Sequence, residues 1–160
     1  MRVDTRTDKR SRLVLLALLS MLVLAASLVT LSVGTAAGAG SATVKTHSSS
    51  LGKILVDPKG RTLYLFEKDK GGTSACYGQC AKFWPPLITS GKPTAAAGAK
   101  ASLLGTSRRS NGAMQVTYAH HPLYRYAGDK RPGQTIGEGS KAFGASWYVL
   151  TPAGKKIDKD

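Results

Sequence analysis

Leu13 to Val33 is a run of 21 apolar and small residues with no charge. Arg2, Arg6, Lys9, Arg10 and Arg12 precede it, and Thr35-Ala36-Ala37 or Ala37-Gly38-Ala39 offers small residues behind it. That order predicts a secretory signal peptide over 1–37. The run is also about long enough to span a bilayer as a helix, so an uncleaved anchor through 13–33 is the competing expectation. The basic end stays inside in either case, which places the remainder outside the cytosol. Residues 38–50, rich in Gly, Ser, Thr and Ala, lack apolar periodicity and read as a flexible spacer.

From 51 to 157 the pattern is one of short apolar runs cut by turns. Ile54-Leu55-Val56 stops at Asp57-Pro58-Lys59-Gly60, a type I turn sequence, and resumes from Thr62 to Phe66, predicting a hairpin over 53–66. Leu103 to Arg109, Asn111-Gly112 and Met114 to Tyr118 repeat the logic. The bend Ala119-His120-His121-Pro122 then leads into Leu123 to Tyr126, giving a three-stranded meander. Trp147 to Leu150, Thr151-Pro152-Ala153-Gly154 and Lys155 to Ile157 predict a last hairpin. Residues 90–101 are a small-residue connector, and Pro85-Pro86 excludes a central strand after Trp84. A short helix has room only near Cys76–Phe83 (at most Ser74–Phe83). The expectation is a small, mostly β, single domain of antiparallel hairpins and a meander.

One stretch occurs twice. Leu63-Tyr64-Leu65-Phe66-Glu67-Lys68-Asp69 returns as Leu123-Tyr124-Arg125-Tyr126-Ala127-Gly128-Asp129, and each copy is followed by one of the two tryptophans, Trp84 and Trp147. This predicts a duplicated unit, repeat one over about 51–90 and repeat two over about 102–157, whose halves complete one core. Side chains alternate along a strand, so Tyr64 and Phe66 share one face and Leu63 and Leu65 the other. Both faces are apolar, as expected of a central strand. In the second copy Arg125 beside Leu123 makes one face wetter.

Charge adds a partner class. The chain carries +14; residues 1–37 hold five basic and two acidic residues, so 18 against 7 remain, a net of +11. Such an excess suits anionic cell-wall polymers or membrane headgroups. No nucleic-acid recognition motif accompanies it.

Candidate chemistry is sparse. Cys76 and Cys80 are the only cysteines, and in an oxidising compartment they are expected to pair. So small a loop removes little unfolded-state entropy, which leaves open a copper- or redox-handling pair joined by His120 or His121. Met114 is a weaker soft ligand and more simply a core residue. Asp69 and Asp129 form a carboxylate pair on paper, but the glycine-rich sequences after them favour turn capping. No nucleophile elbow or phosphate loop is present, so a non-enzymatic, monomeric binding or structural module without a cofactor is expected.

Tyr64-x-Phe66-x-x-Asp69, Cys76-x-x-x-Cys80-Ala81-x-x-Trp84-Pro85-Pro86-Leu87, and Tyr124-x-Tyr126-x-x-Asp129 with Trp147-Tyr148-Val149 resemble the bacterial predicted lipoproteins named for a Tyr-x-(Phe/Trp/Tyr)-x-x-Asp motif. That family is also called the secreted repeat of unknown function. The resemblance spans about 51–157 and implies an exported, envelope-associated protein of two repeats, with no activity attached. Many relatives are lipid-anchored; here no cysteine lies near the leader, so no lipobox is present.

Overall fold

Turn residues and backbone pairing, more than hydropathy, set this architecture. The computed structural model describes residues 40–158, so the leader read at 1–37 lies outside the described residues. Among those described, no helix is long and apolar enough to cross a membrane. The strands are β1 Thr43–Ser49, β2 Gly52–Val56, β3 Tyr64–Phe66, β4 Ile88–Thr89, β5 Thr94–Ala95, β6 Leu104–Arg108, β7 Met114–Tyr118, β8 His121–Pro122 and β9 Trp147–Val149. A short helix, α1 (Gln79–Phe83), lies between β3 and β4. The domain is thus mostly β with one short helix. Its sheets run β2-β1-β5, β3-β9 and β4-β7-β6, with β8 also on β7. All pairings are antiparallel except β1 with β5.

Several expectations change. The segment read as a flexible spacer contains β1, locked to β2 from Lys45↔Val56 to Ser49↔Gly52. Only Val44 in β1 is buried, so its order rests on main-chain ladder bonds that hydropathy does not register. The 53–66 hairpin closes at its turn, where Gly60 N–H donates to Asp57 O (2.9 Å) and Leu63 N–H to Leu55 O (3.0 Å). Beyond the turn, β3 leaves its partner and pairs with β9, Tyr64↔Val149 to Phe66↔Trp147. Finally, α1 begins at Gln79, so Cys76 precedes the helix. The last hairpin forms as expected, with Gly154 N–H donating to Thr151 O and Ile157 N–H to Val149 O, and so do the first two strands of the meander. Its third strand, however, is β8 at His121–Pro122, inside the expected bend, and beyond Leu123 the chain leaves β7 to pair with Tyr64 and Pro85.

The copies interlock around a local two-fold relation. Tyr64 and Tyr124 exchange both main-chain hydrogen bonds, 2.8 and 3.0 Å. Leu55 N–H donates to Leu150 O as Val116 N–H donates to Leu87 O. Each copy's β-run therefore pairs with the other copy's Trp-containing segment: β3 with β9, and Leu123–Arg125 with Pro85–Leu87. In the latter, Leu87 N–H reaches Leu123 O and Arg125 N–H reaches Pro85 O. Prolines lend acceptors but no donors, which keeps this second pairing to a bridge.

Alternation sorts the interior in two. One cluster holds Leu55, Leu63, Leu65, Leu87, Val116, Tyr118, Leu123 and Leu150; the other Ile54, Val56, Tyr64, Phe66, Cys76, Cys80, Trp84, Tyr124, Trp147 and Val149. Both faces of β3 are buried, as its sequence requires, and Arg125 turns to the wetter side and pairs with Asp57.

Candidate functional site

The repeated motif builds the centre of the domain, each copy completing the other. Phe66 stacks on Trp147 (4.0 Å between centroids), Trp147 on Trp84 (3.9 Å), and Trp84 packs against Tyr126 (4.4 Å). Equivalent motif positions thus occupy the two outer and the two inner places of one column of four rings. Tyr64 meets Trp84 edge-on at 5.3 Å, and Tyr124 meets Trp147 the same way at 5.2 Å, a geometry that sets positive ring edges against negative faces. Gly137 allows the column to close: a β-carbon there would stand 2.6 Å from the Trp84 ring.

The motif aspartates are exchanged too. Tyr64 hydroxyl donates to Asp129 Oδ2 (2.6 Å), and Tyr124 hydroxyl donates to Asp69 Oδ2 (2.8 Å). The second oxygens cap loops, Asp69 Oδ1 accepting from Ala75 N–H (2.7 Å) and Asp129 Oδ1 from Ile136 N–H (3.0 Å). Turn capping was legible in the sequence; the tyrosine partner from the other copy was not. Burial and the adjacent carboxylates push both tyrosines' pKa up. Each carboxylate is thus engaged with a loop amide of its own copy and the tyrosine of the other.

Around Asp69 the symmetry breaks. Arg109, next to the exposed Arg108 that ends β6, is buried. Its guanidinium donates to Ser74 Oγ (2.9 Å), Gln115 Oε1 (2.5 Å) and Cys76 O (2.6 Å). Tyr124 hydroxyl lies 2.8 Å from Ser74 Oγ, and Gln115 Nε2 donates to Leu123 O, so every arm of the cluster is tied. Ser74, Arg109 and Gln115 carry no motif signal, and their burial is a product of tertiary pairing.

Asp69 is held up at about pKa 6, chiefly by burial, with the Ala75 N–H, Tyr124 and Arg109 acting against it. A carboxyl whose folded pKa exceeds its ordinary 3.8 stabilises most below that value, and the contribution is lost as pH rises through about 4 to 6. Asp57 shifts the other way, so its titration falls below this window. Asp129 is also raised by burial and His121 is lowered, so both titrate near the same window. Asp69→Asn is therefore expected to reduce, rather than abolish, the stability change the parent shows between about pH 4 and 7. Denaturant titrations at several pH values check this, and a parent-minus-variant difference that stays constant with pH rejects it.

Cys76 and Cys80 form a disulfide with Cα atoms 5.2 Å apart, and both are buried against Trp84 and its neighbours. The bond pins the loop that supplies Cys76 O to Arg109. Any copper or redox use of this pair would begin with opening it. His121, half-buried with its pKa lowered by burial and by His120, lines a cleft of about 640 Å³ with Glu67, Asp69, Lys70, Lys155 and Lys156. His120 and Ala119 both have positive φ, 66° and 48°, as a tight hairpin of this kind demands. Met114 lines a different groove, near Pro93 and Leu104. Among the described residues no group of three or more His, Cys, Asp or Glu side chains stands placed to hold a metal.

Compared with known proteins, residues 45–88 and 105–151 each match a family described as a secreted repeat of unknown function. The first match begins inside β1, in agreement with that strand being part of the repeat. No curated protein and no solved structure gives a significant match.

Proposed function

This chain belongs to the family of secreted repeats of unknown function, and on that premise we propose that it is a non-enzymatic binding or structural module of the cell envelope. In this reading residues 1–37 direct export, by a cleaved signal peptide or by an anchor through 13–33, and a basic surface then holds the domain to anionic envelope polymers. The observation that carries the proposal is where the charges lie. Among the described residues Asp57 and Asp129 are buried and Asp69 and Glu138 half-buried. The exposed carboxylates are Glu67 and Asp158, and both pair with Lys156. Lys53, Lys59, Arg61, Lys82, Lys92, Lys100, Arg108, Lys130, Arg131 and Lys141 are exposed. Folding therefore hides acids and displays bases, and the surface is more cationic than the composition. The motif residues that could have carried chemistry are meanwhile consumed in the interior.

The test is retention of the exported form on immobilised inorganic polyphosphate. Binding is expected near 0.1 M salt and release well before about 1 M, because the screening length shrinks from about 10 to about 3 Å. Retention that ignores salt would remove the electrostatic basis of the proposal.

A further inference from the structure

Large apolar side chains are rarely exposed among the described residues, yet two of them touch. Phe83 closes α1 and is 52 % exposed; Phe143 is 38 % exposed in the 3-10 turn Ala142–Gly144; their centroids lie 6.1 Å apart. Phe143 has φ 65° and ψ 23°, the left-handed conformation that side chains with a β-carbon adopt at a cost and glycine adopts freely. The fold thus holds a ring at the surface in a backbone position better suited to glycine.

Exposed lysines lie close to this patch, one of them in contact with it. Lys82 precedes Phe83, Lys141 lies two residues before Phe143, and Lys68 Nζ donates to Phe143 O (3.4 Å). The nearest exposed acid in sequence, Glu67, is engaged by Lys156.

We infer that Phe83 and Phe143, with Lys68 against Phe143 and Lys82 and Lys141 close to them along the chain, form a docking face for an anionic lipid membrane. The inference rests on the basic, exported module proposed above and commits it to one partner. Apolar rings enter the boundary between headgroups and acyl chains, while lysine stems extend and carry their ammonium groups to lipid phosphates. A second copy of the chain fits less well, because a symmetric contact would press each lysine group against its like. A polysaccharide fits less well too: the rings are tilted by 39° and give no flat platform.

The experiment uses the chain from residue 38 onward, which contains both core clusters and lacks the apolar leader. Its partition onto phosphatidylglycerol-containing vesicles and onto pure phosphatidylcholine vesicles is measured by co-sedimentation. Phe83→Ala with Phe143→Gly should keep the fold, since Phe83 is exposed and glycine suits the backbone at 143. That double variant is expected to bind anionic vesicles at least about tenfold more weakly, the loss for two phenylalanines that bury about half of each side chain. Neutralising Lys68, Lys82 and Lys141 to glutamine should cost about fivefold per lysine on anionic vesicles and little on neutral ones. A double phenylalanine variant that partitions like the parent overturns the inference. If that variant's salt-sensitive retention on polyphosphate persists, the broader proposal survives alone; a parent that binds neither vesicles nor polyphosphate sinks both. Concentration-dependent dimerisation, abolished by the same variant, would assign the patch to a second copy and likewise overturn it.

Discussion

Trp147→Ala is expected to lower unfolding free energy by about 3–5 kcal/mol, the range for emptying a buried indole site. For a domain of this size that is a large share of total stability and a fall in Tm on the order of 15 °C. Trp147 has no exposed surface, and it stacks on rings from both sides while receiving a third edge-on from Tyr124. Its indole N–H also donates to Ala142 O (2.9 Å), so alanine leaves an acceptor unpaired as well as a cavity. Because the ring belongs to the second copy but packs against Phe66 and Trp84 of the first, the damage should cross between copies. Hydrogen exchange at the amides of α1, remote in sequence, should accelerate together with that of β9. Trp147→Phe should lose markedly less. Calorimetry and exchange decide the matter: a cost near 1 kcal/mol, or protection lost only around residue 147, would show that the column is not the shared core.

The second large effect is expected at Asp57. This carboxylate, 1 % exposed, accepts Lys59 N–H (2.9 Å) and Arg61 N–H (3.0 Å) on Oδ1, and Arg61 Nε (2.7 Å) and Arg125 Nε (2.8 Å) on Oδ2. Burial works to raise its pKa, but the Arg61 backbone bond and the Arg125 guanidinium outweigh that and hold it below the usual range. Its stabilisation is therefore present at neutral pH and lost only as pH falls through the low folded value. Asp57→Ala removes a turn cap and leaves two guanidiniums facing each other, one of them three-quarters buried. Breaking a buried pair costs about 3–5 kcal/mol, and because Arg61 is partly in water the lower end, about 3 kcal/mol, is expected. Asp57→Asn keeps the Oδ1 acceptor and should cost less, and adding Arg125→Met to Asp57→Ala should recover part of the loss. Urea denaturation of the three variants separates cap from charge. Equal losses for Asn and Ala, with no recovery from Arg125→Met, would reduce Asp57 to an ordinary turn residue.

Asp57 also illustrates how far sequence reading reached. Its place at the head of a Pro-x-Gly turn was legible because that turn's backbone angles demand those residue types locally. Its partnership with Arg125, sixty-eight positions away, has no local signature. The same division holds elsewhere. The Leu-Tyr-x-aromatic-x-x-Asp echo foretold two copies and one core, and alternation correctly put both faces of β3 inside. It could not foretell that β3 abandons its hairpin for β9, since a strand apolar on both faces carries no register preference. β1 escaped notice because its side chains are mostly polar and its order resides in the main chain. The burial of Arg109 was not legible, because it depends on partners, Ser74, Gln115 and Cys76 O, that only the folded chain assembles.

The pairing of Tyr64 with Val149 and of Phe66 with Trp147 has a consequence for how the protein is made. A chain delivered from its N-terminus cannot close its first repeat on itself, because the strand that completes it is among the last segments to emerge. Until residue 149 is through, the strand that pairs with β3 and the indole of Trp147, the inner ring against which Phe66 stacks, are missing. Contacts so distant in sequence form late and slowly. A chain that has emerged only as far as β8 is therefore expected to leave its first repeat unclosed, and the core becomes complete only with the last segment.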